Sequence, residues 1–213
     1  MISRRSFLGS IAGGAIGMAL PQVLFSKTKG IEKPNIILCM ADDMGWGDPG
    51  FNGNSIIKTP SLDAMAKAGM RFRRFYSGAP VCSPTRGSCL TGRHPYRYGI
   101  FSANVGHMRK EEITLAEALK TQRYTTGHFG KWHLGTLTTT EKDSNRGGPR
   151  GVKHYSPPWE NGFDVCFSTE AKVPTWNPMK EPVTNAPYGT CYWREDGTKA
   201  IKNLDGDDSR VIM

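Results

Sequence analysis

The stretch PVCSPTRGSCLTGRHP, residues 80–95, places Cys82 four residues before Arg86, with a proline between them. Residues 84–91 predict a helix that opens on Cys82, and the four-residue spacing puts Arg86 one turn further along the same face. Free N–H groups and the helix dipole attract anions to a helix N-terminus. The stretch therefore indicates an anion-binding site with a reactive thiol at its centre, although a cysteine taken alone is more often a buried structural thiol.

The segment NIILCMA, residues 35–41, is a short apolar run with branched side chains, which predicts a buried strand of a parallel sheet. It ends at Asp42 and Asp43, and ligands of open α/β sheets bind at the carboxyl ends of strands. Carboxylate oxygens are the hard ligands that calcium prefers. A pair of acids in a surface turn is the alternative, and the position directly after a buried strand argues against it.

Local patterns predict two further helices. Thr59 and Pro60 are typical of an N-cap and first helical residue, and this helix is expected to stop at Gly69. The sequence TLAE, residues 114–117, is a capping box that starts the next helix. The inward face of that helix is predicted to carry Leu115, Ala118 and Leu119.

The remaining segments predict strands and loops. Residues 70–77 alternate well enough for a strand, and residues 125–135 (TTGHFGKWHLG) predict a strand followed by a loop. Residues 138–151 are polar and Gly-rich, which is typical of a surface loop. Residues 155–188 are rich in proline and aromatic side chains and predict an irregular, well-packed insert.

Composition restricts the class of partner. The chain has 28 Lys+Arg against 19 Asp+Glu, a formal charge of +9, which favours polyanionic partners such as sulfated or phosphorylated substrates, anionic membranes or nucleic acid. The basic residues are scattered and no nucleic-acid-binding motif accompanies them, so we expect no nucleic-acid partner. Five cysteines, an odd number without CxxC spacing, argue against a disulfide framework or a zinc site.

The N-terminus is typical of a twin-arginine export signal, because Arg4 and Arg5 precede the Gly/Ala-rich apolar residues 11–20. This apolar run is too short to span a bilayer. Residues 1–30 are therefore interpreted as an export signal and linker, which makes the export machinery a partner and predicts an exported, periplasmic protein. A membrane anchor stays open, because no clean small-residue cleavage site precedes Lys27.

The segment CSPTRGSCLTGR resembles the signature of type I sulfatases, the formylglycine-dependent members of the alkaline phosphatase superfamily. Cys82, Pro84, Thr85 and Arg86 match the core Cys-x-Pro-Ser/Thr-Arg, while Cys89 stands where the family usually has an aliphatic or aromatic residue. Three other segments also resemble the family: ILCMADDMGWGD at residues 37–48, GKWHLG at 130–135 and ENGFD at 160–164.

The resemblance covers about residues 34–213 and implies an α/β fold with a mostly parallel central sheet flanked by helices. Residues 31–213 are interpreted as the N-terminal part of a truncated catalytic domain. Family members are about twice this length, and their second pair of calcium ligands, a further lysine and the histidine acid have no counterpart here. We therefore expect the isolated chain to bind calcium weakly and to turn over poorly.

The resemblance also implies the chemistry. A maturation enzyme oxidises Cys82 to formylglycine, and the hydrated aldehyde takes the sulfuryl group and then expels sulfate. His133 positions the hydrated aldehyde, while fixed positive charge holds the sulfuryl oxygens. The implied catalytic residues are Cys82, Arg86, Lys131 and His133, and the implied calcium ligands are Asp42, Asp43 and Cys82.

The predicted function is hydrolysis of sulfate esters by a calcium-dependent enzyme. The positive charge and predicted export favour sulfated polysaccharides or smaller sulfated carbohydrates as substrates. Two alternatives stay open: a phosphonate or phosphodiester hydrolase of the same superfamily, and an inactive fragment. Four histidines match no motif and are interpreted as structural: His94, His107, His128 and His154.

Overall fold

The computed structural model describes residues 33–200 and divides the chain into two compact units, residues 1–40 and residues 41–213. Of the first unit only residues 33–40 are described, and these form no helix or strand. The predicted export signal, residues 1–30, lies outside the described residues. Within residues 33–200, no helix has the length and apolar character needed to cross a membrane.

Helices fill the first half of the second unit. The α-helices of the described residues are α1 (Pro60–Ala68), α2 (Cys82–Thr91), α3 (Pro95–Tyr98) and α4 (Leu115–Lys120). Short 3-10 helices cover Gly50–Asn52, Pro149–His154 and Pro158–Glu160. Helix α1 begins with Pro60 after Thr59 and ends before Gly69, as predicted.

The predicted capping box of helix α4 is confirmed. The Thr114 hydroxyl accepts a hydrogen bond from the Glu117 amide at 3.2 Å, and the Glu117 carboxylate accepts one from the Thr114 amide at 2.7 Å. The predicted inward face is wrong, because Leu115 and Ala118 are exposed and Ala116 is buried. The helix has only six residues, which is too short for the apolar stripe that a longer helix buries. The contacts of a single turn therefore determine which side chain is buried.

A three-stranded sheet follows, in the order β1 (Gly127–Lys131), β2 (Val165–Thr169), β3 (Tyr192–Arg194). Strands β1 and β2 are parallel, and β2 and β3 are antiparallel. Pairing continues past the end of β1, since the amides of Trp132 and His133 donate to the carbonyls of Thr169 and Glu170 at 2.9 and 3.0 Å. This mixed sheet with helices belongs to the predicted α/β class. The two hydrogen bonds beyond β1 also fix the backbone of Trp132 and His133 in the GKWHLG segment.

The hydrophobic core lies around the residues that follow β1. Trp132 is buried, and its indole N–H donates to the Ser156 carbonyl at 2.7 Å. Burial of such large side chains holds the end of β1 in place. The cluster consists of Tyr98, Ile100, Met108, Trp132, Leu134, Leu137 and Trp193.

Two predicted strands are absent, and the corrections share one reason. Residues 35–41 form no strand, and Ile37 is 86% exposed. Residues 70–77 form turns, and the rings of Phe72 and Phe75, three residues apart, lie 5.9 Å from each other, which does not fit the period of two in a strand. A strand requires hydrogen bonds from a neighbour, and a local pattern cannot supply that neighbour.

The segment predicted as an irregular insert contains strand β2, which the sequence analysis missed. Residues 165–169 pair with β1 in parallel, and this partner lies 38 residues earlier in the chain (Gly127 opposite Val165). The predicted loop at residues 138–151 is polar as expected. Its Asp143 is nevertheless fully buried, because it accepts hydrogen bonds from the Cys191 amide and the Trp193 indole at 2.9 and 2.6 Å.

Candidate active site

Helix α2 begins with Cys82, as predicted, and its first turn is fixed by contacts with Tyr98. The Tyr98 hydroxyl donates to the Pro84 carbonyl. Gly87 lies so close to the same ring that a Cβ there would be 2.7 Å from it. The N-terminal turn that presents Cys82 and Arg86 is therefore held against a buried aromatic side chain.

Asp42 forms ion pairs with both cations of the predicted site, Arg86 and Lys131. Arg86 Nη2 donates to Asp42 Oδ1 at 2.9 Å, and Lys131 Nζ lies 3.0 and 2.9 Å from Oδ1 and Oδ2. Arg86 Nη1 also donates to the backbone carbonyl of Lys131 at 2.7 Å. Arg86 thus connects helix α2, the carboxyl end of β1 and the loop that follows residue 41.

The electrostatics of this group favour an ionised Asp42 carboxylate beside two cations. Partial burial acts to raise the pKa of Asp42, but hydrogen bonds and charge from Lys131 and Arg86 outweigh it and lower the pKa below its ordinary value. The side chains of Lys131 and Arg86 are only 10% and 12% exposed, so solvent screens them weakly. Arg86 and Lys131 are the two cations that this group offers to a further anion, and the Asp43 carboxylate, within 4.8 Å of that of Asp42, offsets part of their charge.

Cys82 lies inside this charged group. Its Sγ is 3.2 Å from Lys131 Nζ, the same ammonium that contacts Asp42. The contact joins residues 49 positions apart in the sequence. The structure therefore brings four of the predicted site residues into direct contact: Asp42, Cys82, Arg86 and Lys131.

The three predicted metal ligands also lie together. Asp42, Asp43 and Cys82 each offer one ligand atom, and these atoms are all within 4.8 Å of one another. Asp43 has a positive φ of 57°, a left-handed backbone conformation that residues other than glycine rarely adopt. Two carboxylates suit calcium, whereas a thiolate sulfur is a soft ligand. The donor set therefore fits calcium once position 82 offers oxygen in place of sulfur.

His133 is buried and held by a residue that the sequence analysis missed. Its Nε2 lies 2.8 Å from the Asn104 side-chain oxygen, while its Nδ1 is buried with no hydrogen-bond partner among residues 33–200. Burial, with the charges of Lys131, Arg86 and Arg146, lowers the pKa of His133 to about 4. The imidazole is therefore neutral near pH 7, with its proton on Nε2 facing Asn104 and a free lone pair on Nδ1.

Lys131 and His133 are two residues apart, a spacing that predicts side chains on the same side of an extended chain, but their contacts do not show this orientation. Lys131 reaches Asp42 and Cys82, while His133 adopts a positive φ of 57° and reaches Asn104. The extended backbone that the prediction assumed ends with β1. No sequence pattern pointed to Asn104, because its contact depends on the fold of a loop 29 residues away.

The remaining histidines make contacts of other kinds. His128 has its Nδ1 2.7 Å from the Ser168 hydroxyl, and burial followed by the charge of Arg86 lowers its pKa to about 3. His94 accepts a hydrogen bond from the Tyr96 amide at the start of helix α3. His107 and His154 lie against each other, with their Nδ1 atoms 3.4 Å apart.

Comparison with curated proteins gives partial matches. Arylsulfatase D of Homo sapiens is 37% identical over 178 residues, which cover 78% of this chain and 28% of that protein. Arylsulfatase G of Mus musculus is 46% identical over 191 residues, which cover 85% of this chain and 34% of that protein. The chain thus spans about a third or less of the length of these relatives.

Two solved structures share the fold. One is titled "Crystal structure of Ps i-CgsB"; it has a TM-score of 0.62 and 30% identity, over 82% of this chain and 38% of that one. The other, the same protein in complex with k-i-k-neocarrahexaose, has a TM-score of 0.57 and 27% identity, over 78% of this chain and 36% of that one. The sequence model of the Sulfatase family matches residues 34–210. This match covers most of the chain and agrees with the site, where Cys82, two cations and two acids lie together. The chain belongs to the sulfatase family.

Proposed function

We propose that this chain carries the nucleophile half of the active site of a sulfuric ester hydrolase that uses calcium and a formylglycine made from Cys82. The observation that supports the proposal most directly is the contact of one ammonium, Lys131 Nζ, with both Cys82 Sγ at 3.2 Å and Asp42 Oδ2 at 2.9 Å. The residue to be modified and a carboxylate that suits a metal ion therefore both lie within hydrogen-bond distance of the same fixed cation.

Arg86 and Lys131 would hold the sulfate group. A sulfuryl group in transfer carries negative charge on its non-bridging oxygens, and fixed cations in a weakly solvated site stabilise that charge. Both side chains are mostly buried and already oriented by Asp42, so they need little reorganisation when the ester binds. Arg86 Nε, buried without a partner in the described part of the chain, leaves one further donor on the guanidinium.

Asp42, Asp43 and the oxidised residue 82 would hold the calcium ion, which supplies Lewis-acid polarisation of the attacking and sulfuryl oxygens when bound. A formylglycine at position 82 would, once hydrated, supply a geminal diol. One hydroxyl would attack sulfur and displace the alcohol of the ester, and loss of the proton of the other would reform the carbonyl and release sulfate. The ionised state of Asp42, favoured by Lys131 and Arg86, suits both the cation and the neighbouring diol.

His133 would act on the diol through Nδ1. With Nε2 donating to Asn104, Nδ1 is the hydrogen-bond acceptor that this ring still offers, and the family resemblance directs that acceptor to a hydroxyl at residue 82. The lowered pKa of His133, about 4, keeps that lone pair available at neutral pH. We assign His133 the role of orienting the diol and taking a hydrogen bond from it.

Sulfated carbohydrates are the proposed substrate class. The formal charge of +9 favours polyanions, and one structural relative is described in complex with an oligosaccharide, k-i-k-neocarrahexaose. The proposal includes an exported, periplasmic location and two protein partners, the export machinery and the maturation enzyme that reads Cys82, Pro84 and Arg86. The paired arginines near the N-terminus support the first partner, and the segment around Cys82 supports the second.

The test uses the protein at its full natural length, co-produced with a formylglycine-generating enzyme, and measures hydrolysis of an aryl sulfate. We expect activity that a calcium chelator removes and added calcium restores. Cys82→Ala should lower the rate at least about 10³-fold, because it removes the nucleophile. Cys89→Ala, the matched control on the same helix, should keep most of the activity.

Two results would contradict the proposal. A Cys82→Ala protein that keeps its activity would remove this residue from the chemistry. A faster rate on an aryl phosphodiester than on the aryl sulfate would instead assign the site to phosphodiester hydrolysis.

A further inference from the structure

A cationic cleft lies beside the segment that holds His133. The cleft has a volume of about 560 Å³, and its lining includes His107, Arg109, Lys110 and His154. Glu111 is the one acidic residue of the lining. The walls therefore offer two permanent cations and two imidazoles against Glu111, and the Lys110 ammonium is also paired at 3.8 Å with Glu160, which lies outside the lining.

Arg146 adds positive charge behind the cleft. Its Nη1 donates at 2.6 Å to the carbonyl of Gly106, which also lines the cleft. Desolvation, and then the charge of Arg146, lowers the pKa of both His107 and His154. Arg109 acts on His107 in the same direction, Lys153 acts so on His154, and the charge of Glu111 opposes them at His107.

The two imidazoles form a pair that a bound anion would complete. Their Nδ1 atoms are 3.4 Å apart, so one ring donates and the other accepts. The ring centroids of His107 and His154 lie 5.6 Å apart, and both side chains are only partly buried. An anion in the cleft would offset the surrounding positive charge and accept a hydrogen bond from the Nε2–H of the ring whose Nδ1 accepts.

The cleft is connected to the candidate active site by a short piece of backbone. Asn104 binds His133, and the amide of Met108 donates to the carbonyl of Leu134 at 2.6 Å. His107 is three residues from Asn104, so their Cα atoms are at most about 11 Å apart. The loop that holds His133 through Asn104 therefore also supplies Gly106 and His107 to the lining of the cleft.

We propose that this cleft is a second anion subsite, which binds a sulfate or carboxylate group on the sugar adjacent to the one that loses its sulfate. The proposal rests on the function proposed above and narrows its substrate class to saccharides with more than one anionic group. Arg109 and the two histidines provide the hydrogen bonds, and Lys110, whose side chain is 84% exposed, adds charge at the rim. The subsite selects substrate and takes no part in bond cleavage.

The test measures binding without turnover, by calorimetry on the full-length protein with Cys82→Ser. The probes are a disaccharide with one sulfate, the same disaccharide with a second sulfate on the adjacent sugar, and the same disaccharide with a carboxylate there. We expect at least one of the doubly anionic probes to bind about tenfold more tightly than the singly sulfated one. The stronger of the two identifies the group that the cleft prefers.

Variants locate the effect. Arg109→Gln should abolish the preference for the second anion and leave affinity for the singly sulfated probe unchanged. Lys67→Gln, at an exposed lysine of helix α1 outside the lining, is the matched control and should keep the preference. As a second readout, histidine NMR signals of His107 and His154 should shift with a doubly anionic probe and not with the singly sulfated one.

Each failure has its own signature. Equal affinities for all three probes would overturn the subsite while leaving the proposed function intact. An equal loss of affinity for all probes in Arg109→Gln would show a general structural role and would also overturn it. Absence of binding by every probe would overturn the proposed function, and the subsite with it.

Discussion

Replacing Glu170 with glutamine is expected to stabilise the protein above neutral pH and to change its stability little in acid. Glu170 follows strand β2 and is fully buried, and neither carboxylate oxygen has a hydrogen-bond partner of good geometry within residues 33–200. The charge of Arg146 and the nearby amides of Arg146 and Leu137 act to lower the pKa of Glu170, but they do not outweigh its burial. Arg146 Nε lies 3.9 Å away, too far for a hydrogen bond. Burial, and then the negative charge of Asp143, raises the pKa of Glu170 from 4.5 to about 7.

The sign and size of the effect follow from this shift. The folded protein holds the proton more tightly than the unfolded chain, so stability falls as pH rises from 4.5 to about 7. One pKa unit corresponds to about 1.4 kcal/mol, so ionised Glu170 costs roughly 3 kcal/mol above that range. Glutamine has nearly the shape of the protonated acid and avoids this cost.

Urea unfolding of the protein and of Glu170→Gln, at about pH 4.5 and about pH 8, measures the effect. The free energy of unfolding of the variant relative to the natural protein should rise by roughly 3 kcal/mol between the two conditions. Glu111→Gln, the same change at an exposed position, should alter stability by less than about 0.5 kcal/mol at both. A Glu170→Gln difference that is independent of pH, or that decreases with pH, would refute the reasoning.

Four other changes test the packing and the site. Gly87→Ala should cost about 1–3 kcal/mol of stability by forcing a methyl group to within 2.7 Å of the Tyr98 ring, and a neutral result would show that this ring moves freely. Tyr98→Phe should lower the free energy of unfolding by about 1–2 kcal/mol through loss of the hydrogen bond to the Pro84 carbonyl, and equal urea midpoints for the two proteins would contradict this. Thr114→Ala should cost about 1 kcal/mol by removing a helix cap that also donates to a carbonyl, and an unchanged melting temperature would count against that cap. Asn104→Ala should lower kcat of the full-length enzyme on an aryl sulfate about tenfold with KM nearly unchanged, and an unaltered kcat would remove it from the site.

Features with a local cause could be predicted from the sequence. The helix that opens on Cys82, the proline start of helix α1 and the capping box of helix α4 each depend on residues within one turn of each other. Strand β1 was also predicted, as the first part of the segment 125–135 that was expected to form a strand and then a loop. In these places the local interactions determine the structure.

Features with a distant cause could not be predicted in this way. Strand β2 exists because residues 165–169 pair with β1, and the apolar residues 35–41 form no strand although their pattern favours one. In the site, Lys131 meets Asp42 across 89 residues. Only the resemblance to a family placed these two together, and nothing in the sequence placed Asn104 against His133.

The most direct measurement is the mass of the peptide that contains Cys82, taken from the protein isolated from its own host. We expect the mass of a peptide that carries an aldehyde at position 82 in place of the thiol. An unmodified thiol, in a host shown to mature other proteins of this kind, would contradict the central claim that Cys82 becomes the nucleophile.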